Sequence, residues 1–334
     1  MNHTPTTVDR PTGDALTAAA VAAGSAPSVL NTQPWRWRAG PGRMDLFVER
    51  ARQLPVTDPH GRMLIISCGA ALHHARIALA AAGWSAHVAR LPDAGQPDLL
   101  ASVTVTDRIA VADVAARLAQ AIAVRHTDRR PVSDQPLPAA SMDAIARAAR
   151  AEGGLHIFTA DQVLDLAAAS CRAAEVQADD PRVDEELAYW TGPAAPTGTG
   201  LPTAVLPDRP AQTTVPGRDF GRPGTLHIGT GHDRAAVYGL LFGDTDEPVS
   251  WLRTGEALSA AWLTATTLGV SVVPLSDVVE VDYTRQTLRR LIAGLGHPHL
   301  VLRLGIADTE PAVYTRTTRL PITSVVDTAV EPPA

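Results

Sequence analysis

Apolar positions along this chain fall into two spacings. Stretches with apolar residues every three or four positions predict helices at 14–23, 65–82, 111–124, 140–151, 162–189, 255–268 and 284–295. Shorter runs rich in β-branched residues predict strands at 45–49, 86–91, 102–106, 155–159, 225–229, 270–274 and 300–305. Helices and short strands alternate along the whole length.

The pattern also repeats. Gly69-Ala70-Ala71-Leu72 leads a helix closed by Gly83, and Gly255-Glu256-Ala257-Leu258 leads another closed by Gly269 at the same spacing. Each closing glycine enters a β-prone segment. The Ala-rich stretch 144–149 echoes the Ala-rich helix before Pro27, but Gly153-Gly154 stands where the first copy has a longer polar loop. These echoes predict two related halves, 15–120 and 121–334, behind a polar tail at 1–14. Between the last helix of the middle region and residue 225 lies 191–224, rich in glycine and carrying seven prolines. A connector this long inside a compact unit reads as a lid-like insertion.

The polar loop of the first half is the densest in chemistry. Residues 25–37 read Ser-Ala-Pro-Ser-Val-Leu-Asn-Thr-Gln-Pro-Trp-Arg-Trp. Pro34 stops any helix and is expected to hold Gln33 extended. Asn31 and Gln33 then sit on a stiff loop, suited to hydrogen-bonding the edge of a flat heteroaromatic ring. The alternative is an ordinary helix-to-strand connection with Trp35 in the core.

Composition removes several function classes. The 334 residues carry a formal charge of −6, which gives no general attraction to nucleic acid or an anionic membrane. All 29 basic side chains are arginine. A Walker-type phosphate loop, a Schiff-base enzyme and a protein kinase each need a lysine. Any phosphate is therefore left to arginine, backbone N–H groups and hydroxyls. Two distant cysteines, Cys68 and Cys171, fit a reduced cytoplasmic protein. No apolar run approaches the roughly 20 residues of a membrane span. His73 and His74, adjacent on a helix, are expected to diverge, and His297 and His299 flank a proline in an expected exposed loop. Neither pair reads as a metal site.

Two arginine and hydroxyl clusters are the candidate anion sites. Arg125-His126-Thr127-Asp128-Arg129-Arg130 follows a predicted helix, and Arg316-Thr317-Thr318-Arg319 lies near the C-terminus. An arginine fork matches phosphate oxygens. A solvated surface turn is the competing reading of either cluster alone.

The ordered set of these clusters, the Pro-Ser…Asn-x-Gln-Pro-Trp loop and the Gly-Val-Ser-Val-Val-Pro-Leu-Ser segment resembles the FMN-dependent nitroreductase superfamily, and within it the actinobacterial Acg-like subfamily. The resemblance spans roughly 14–326. It implies an α+β nitroreductase fold with two tandem nitroreductase-like halves forming an intrachain pseudo-dimer. It also implies one FMN site between the halves. Arg125, His126, Thr127 and Arg129 match the family segment that binds the FMN phosphate and ribityl chain. Pro27, Ser28, Asn31 and Gln33 match the loop that the family's second subunit brings to the flavin. Pro274, Leu275 and Ser276 fall where backbone N–H groups approach the ring, and Arg316 and Arg319 resemble the C-terminal basic pair. The arginine motif opens the second half and the amide loop occurs only in the first, so each half keeps what the other lacks.

The implied activity is electron transfer from NAD(P)H to a small nitroaromatic or quinone-type acceptor. The flavin N5 carries the hydride, and no catalytic side chain or metal is needed. A flavin-sequestering stress protein with a closed lid is the alternative. The expected assembly is a monomer acting as a pseudo-dimer, with further oligomerisation open, and no nucleic-acid or membrane partner.

Overall fold

A computed structural model describes residues 13–229, 231–307 and 316–328. The strands are β1 (Trp35–Gly40), β2 (Arg43–Val48), β3 (Trp84–Arg90), β4 (Leu99–Arg108), β5 (Gly154–Ile157), β6 (Val237–Gly243), β7 (Val270–Leu275), β8 (His297–Ile306) and β9 (Val326–Thr328). The helices are α1 (Gly13–Ala23), α2 (Arg62–Ala81), α3 (Asp113–Val124), α4 (Ala139–Arg150), α5 (Ala160–Ala178), α6 (Pro181–Thr191), α7 (Pro248–Thr267), α8 (Asp277–Glu280) and α9 (Asp282–Leu291). The α+β class is as expected. The predicted tail 1–14 lies almost wholly outside the described residues.

Two sheets flank a helical centre. One has the order β3-β4-β2-β1-β9 and the other β5-β6-β8-β7. The first four strands of one sheet and the four of the other thus follow the same sequence of neighbours. Every one of these neighbouring pairs is antiparallel in both sheets: β3 with β4 and β7 with β8, β2 with β4 and β6 with β8, β1 with β2 and β5 with β6.

The centre is the crossing of α2 and α7, both 20 residues long. Their glycines permit it. A Cβ on Gly69 would overlap the carbonyl oxygen of Leu252, and a Cβ on Gly255 would overlap that of Ile66. Backbones can approach this closely only where no side chain intervenes. The contact is reciprocal, since each glycine meets the residue one turn before the other. Gly83 and Gly269 close the two segments at φ 79° and 69°, a conformation that favours glycine. Helix α2 is long and apolar enough to cross a membrane by length and composition, contrary to expectation, but most of it is buried against α7 and the first sheet.

Several elements differ from expectation for local reasons. The predicted helix 162–189 is two helices, because Pro181 cannot continue α5 and the Asp180 carboxylate accepts from the Arg182 N–H to start α6. The predicted strand 225–229 contributes one isolated bridge, Pro207 with Leu226. The strand pairing β5 and β8 is instead β6, whose glycines blunted its pattern. Gly239 sits against the side chains of Leu155 and Ile157. Strand β1, also unforeseen, alternates buried Trp35, Trp37 and Ala39 with exposed arginines. His297 and His299 are not in an exposed loop. They begin β8, and His299 is fully buried with its Nδ1 2.8 Å from Thr254 Oγ1. His73 and His74 converge rather than diverge, because α7 inserts Ser259 between them. Ser259 Oγ lies 2.8 Å from His73 Nδ1 and 2.9 Å from His74 Nδ1. Burial pushes the His73 imidazole down to about 4.

Candidate functional site

The loop after α1 is conformationally strained. Leu30, Asn31 and Gln33 have φ of 43°, 57° and 52°. Non-glycine residues in this region cost of order 1–3 kcal/mol each and persist only when their surroundings hold them. Here the holding groups are the amides themselves. Asn31 Nδ2 donates to the carbonyls of Gly200 and Thr318, each at 3.1 Å, and its Oδ1 accepts from Arg319 at 3.0 Å. Gln33 Nε2 donates to Gly198 O at 2.7 Å, and its Oε1 accepts from the Leu320 N–H at 3.0 Å. The Gln33 N–H donates to Ser28 Oγ at 3.0 Å. The loop, residues 198–200 and residues 318–320 are thereby stitched together.

Three arginines converge beside this loop. Arg125 ends α3, is buried, donates to Ser25 O at 3.1 Å and lies 4.5 Å over the Trp262 ring. Its Nε is buried with no partner among the described residues. Arg129 donates to Val205 O at 3.2 Å and lies 5.5 Å over Phe220. Arg319 donates to Gly24 O at 3.0 Å as well as to Asn31. None of the three forms an ion pair with a carboxylate among the described residues. Burial, reinforced by Arg319, pushes Arg125 down to about 9. Burial pushes Arg129 and Arg319 down to about 10. A buried cation without a counter-ion is costly unless an anion joins it. By contrast, Arg303 pairs with buried Asp233 at 2.9 Å and donates to the carbonyls of Asp128 and Arg130. It braces the turn that carries Arg129.

All three arginines line a cavity of ≈ 680 Å³. Met63, Ile66 and Ser67 of α2 and Leu258 and Trp262 of α7 form apolar walls. The end of β7 supplies Pro274, Leu275 and Ser276. Pro274 is tolerated because β7 is an edge strand. Most residues of 207–223 also line the cavity. An enclosure of this size, with apolar walls and unpaired arginines in its lining, suits a ligand with a flat apolar part and an anionic group.

No family model matches the chain. Curated relatives do. The Mycobacterium tuberculosis (strain H37Rv) protein named "Putative NAD(P)H nitroreductase Rv3131" is 37% identical over 307 residues, 90% of this chain and 88% of that protein. "Putative NAD(P)H nitroreductase acg" of the same strain is 34% identical over 325 residues, 94% of this chain and 96% of that protein. The chain belongs to the Acg-like NAD(P)H nitroreductase family. Among solved structures, the FMN and NADPH-dependent nitroreductase NfnB from sphigopyxis sp. strain HMH is 18% identical with a TM-score of 0.40, covering 63% of this chain and 97% of that one. A nitroreductase with bound FMN from Bacteroides fragilis NCTC 9343 is 15% identical with a TM-score of 0.38, covering 60% and 93%. The family assignment rests on the sequence relatives alone.

In this Acg-like chain the residues singled out from sequence come together, with one exception. Arg125, His126, Thr127 and Arg129 line the cavity with Pro27, Ser28 and Asn31 from the first-half loop. Pro274, Leu275 and Ser276 line it from β7, and Arg316 and Arg319 from the C-terminal segment. Gln33 does not line it. It is buried, and its φ of 52° is not the extended conformation expected before Pro34, because hydrogen bonds to Ser28, Gly198, Leu320 and Arg52 fix it otherwise. The Asn31 amide reaches the cavity lining but is engaged with protein carbonyls and Arg319. Trp262, Arg303 and the Asp233 that orients it were not foreseen. Trp262 reads from sequence as an ordinary apolar helix position, and the Arg303–Asp233 pair joins residues 70 positions apart.

Proposed function

We propose that this chain is an FMN-dependent oxidoreductase that passes electrons from NAD(P)H to a small nitroaromatic or quinone-type acceptor. The observation that carries the reading is Arg125, a buried cation facing the cavity with an unpartnered Nε and no counter-ion among the described residues. A flavin phosphate meets that need. Arg125, His126, Thr127 and Arg129 would hold the phosphate and ribityl chain, with Arg319 and exposed Arg316 adding positive field. Pro27 and Ser28 would border the cofactor from the first-half loop. The turn Pro274-Leu275-Ser276 and the wall formed by Leu258 and Trp262 would border the ring. FMN, when bound, supplies the hydride-carrying chemistry. The protein's own part is to bind, to orient and to keep water from the apolar walls. It needs no catalytic acid, base or metal.

The same reading includes an internal duplication, with halves at 15–120 and 121–334 and 191–224 as a covering insertion. Its support is the matched strand order of the two sheets, the equal lengths of α2 and α7, and their reciprocal glycine contact. Such self-complementary contact is what a two-fold interface makes. The chain then acts as a monomeric pseudo-dimer, with a cytoplasmic location. The place equivalent to the cofactor cavity in the other half is filled by the chain itself. Arg76 stands where Trp262 stands relative to its helix glycine, and Arg90 where Ser276 stands relative to its strand glycine. Both arginines close on Glu256.

One observation favours a second reading, flavin sequestration. Leu201, Val205 and Leu206 of the covering insertion are packed in a cluster with Leu30, Leu54 and Trp190 rather than standing free. Anaerobic addition of NADPH to FMN-loaded protein separates the two. Loss of the oxidised flavin absorbance is expected of the oxidoreductase, and an unchanged spectrum with FMN still bound would leave sequestration. Protein that cannot be loaded with FMN overturns both.

A further inference from the structure

The middle of the covering segment carries few anchors of its own. Between buried Val215 and the Pro207–Leu226 bridge, residues 217, 219 and 221 are exposed. Phe220 packs against the apolar cluster of Leu30, Leu54 and Trp190 and lies under Arg129, and the Gly221 N–H donates to its neighbour Asp219. Beside this apolar anchor, the charged side chain of Arg218 reaches into the body of the protein. Arg218 Nη2 donates to Glu280 Oε1 and, at 3.3 Å, to Ser276 Oγ. The Arg218 side chain retains 11% of its exposure and that of Glu280 4%.

The receiving pocket is strongly acidic. Glu280 and buried Asp277 come from α8, and buried Glu186 from α6 adds its field. Glu280 Oε2 is held by Gln177 Nε2 of α5 at 2.8 Å, so the carboxylate is aimed. Glu186 is saturated by the Val56 and Thr57 N–H groups and the Thr57 hydroxyl. Asp58 faces Glu280 from the start of α2. Arg218 is thus the cation this nest receives from the covering segment. Ser276, its other acceptor, lines the cavity.

We propose that Arg218 is a positioning residue that latches the segment 216–222 across the cavity by anchoring it to Glu280 and Ser276, and that this latch sets how readily the bound cofactor is released and reached. The inference rests on the FMN reading and concerns its control. Arg218 itself lines the cavity, so cleavage of the segment, which does not depend on the cofactor, separates loss of the latch from loss of a direct contact. Lysine restores the charge but not the forked second donor, so it restores the latch only in part.

The test uses the full chain loaded with FMN. The rate of FMN release is followed by its fluorescence on dilution, and chymotryptic cleavage after Phe220 reports the segment directly. Arg218→Gln is expected to speed release at least tenfold and to speed cleavage similarly, with Arg218→Lys intermediate on both. Glu280→Gln should reproduce the effect from the other side, and it carries the test if Arg218→Gln does not fold. FMN release and cleavage both unchanged in folded variants overturn the latch while leaving the cofactor reading intact. If FMN does not bind even the unaltered chain, the cofactor reading fails, and cleavage alone still decides whether Arg218 holds the segment.

Discussion

The two sides of the α2–α7 crossing use arginine in opposite ways. On one side Arg125, Arg129 and Arg319 meet carbonyls, hydroxyls and aromatic rings around a cavity. On the other, Arg76 donates to Glu256 at 2.7 Å and to Glu152 at 2.9 Å, and Arg90 grips Glu256 with two hydrogen bonds of 2.7 and 2.9 Å. Glu256 is fully buried. Both clusters are at least partly buried, and both flank the same helix pair. What separates a binding site from a structural joint is whether the chain supplies the anion. The paired cluster is closed; under the proposed function the unpaired one is completed by the flavin phosphate.

The largest effect should come from breaking the closed side. Glu256→Ala removes a fully buried carboxylate, leaving half-buried Arg90 without its partner and Arg76 with Glu152 alone, and is expected to cost about 3–5 kcal/mol of unfolding free energy in a denaturant titration. A loss below about 1 kcal/mol would mean that water or another group replaces the carboxylate, and the contrast would weaken.

The open side should respond in the reverse sense. Arg125→Ala is expected to lower FMN affinity by roughly 1.5–3 kcal/mol, about 10- to 150-fold, the scale of a charged hydrogen bond. The stability of the FMN-free protein should change by less than about 1.5 kcal/mol, because the variant removes an unpaired buried charge along with some packing. An unchanged FMN affinity would place the phosphate elsewhere.

A pH-dependent effect adds a test at the start of α2. Asp58 is buried and accepts from the Leu64 N–H at 2.9 Å, and burial pushes its carboxyl up to about 7. Its folded value lies above the ordinary one, so between roughly pH 4 and 7 the folded chain binds the extra proton. Stability from this group is therefore fully present below the ordinary carboxylate range and is lost as pH rises towards 7, by at most ~1.4 kcal/mol per pH unit. Asp58→Asn should flatten the fall in Tm between pH 5 and 7.5. Parallel Tm profiles for the two proteins would assign the slope to other groups.

The sequence carried the site further than it carried the sheets. The Arg125–Arg129 cluster and the 25–34 loop were legible because their residue types have few other uses at that spacing. What the amides do was not legible. Asn31 and Gln33 look suited to a ring edge, yet their partners at 198–200 and 318–320 lie more than 160 residues away. Helices α2 and α7 were predicted within a few residues at their C-terminal ends, where Gly83 and Gly269 stop them. The start of α7 at Pro248 was missed, because residues before Gly255 lack a clear apolar stripe. Strand β6 was missed for its glycines, and 225–229 was overcalled because β-prone residues there have no sheet to join.

The account stands or falls on how many cofactor molecules the chain holds. Titration of FMN into the FMN-free protein, read by flavin fluorescence, should saturate at one equivalent per chain, and Arg125→Ala should weaken binding at that site by about 10- to 150-fold. Two equivalents per chain, or one that persists unchanged in Arg125→Ala, would contradict it.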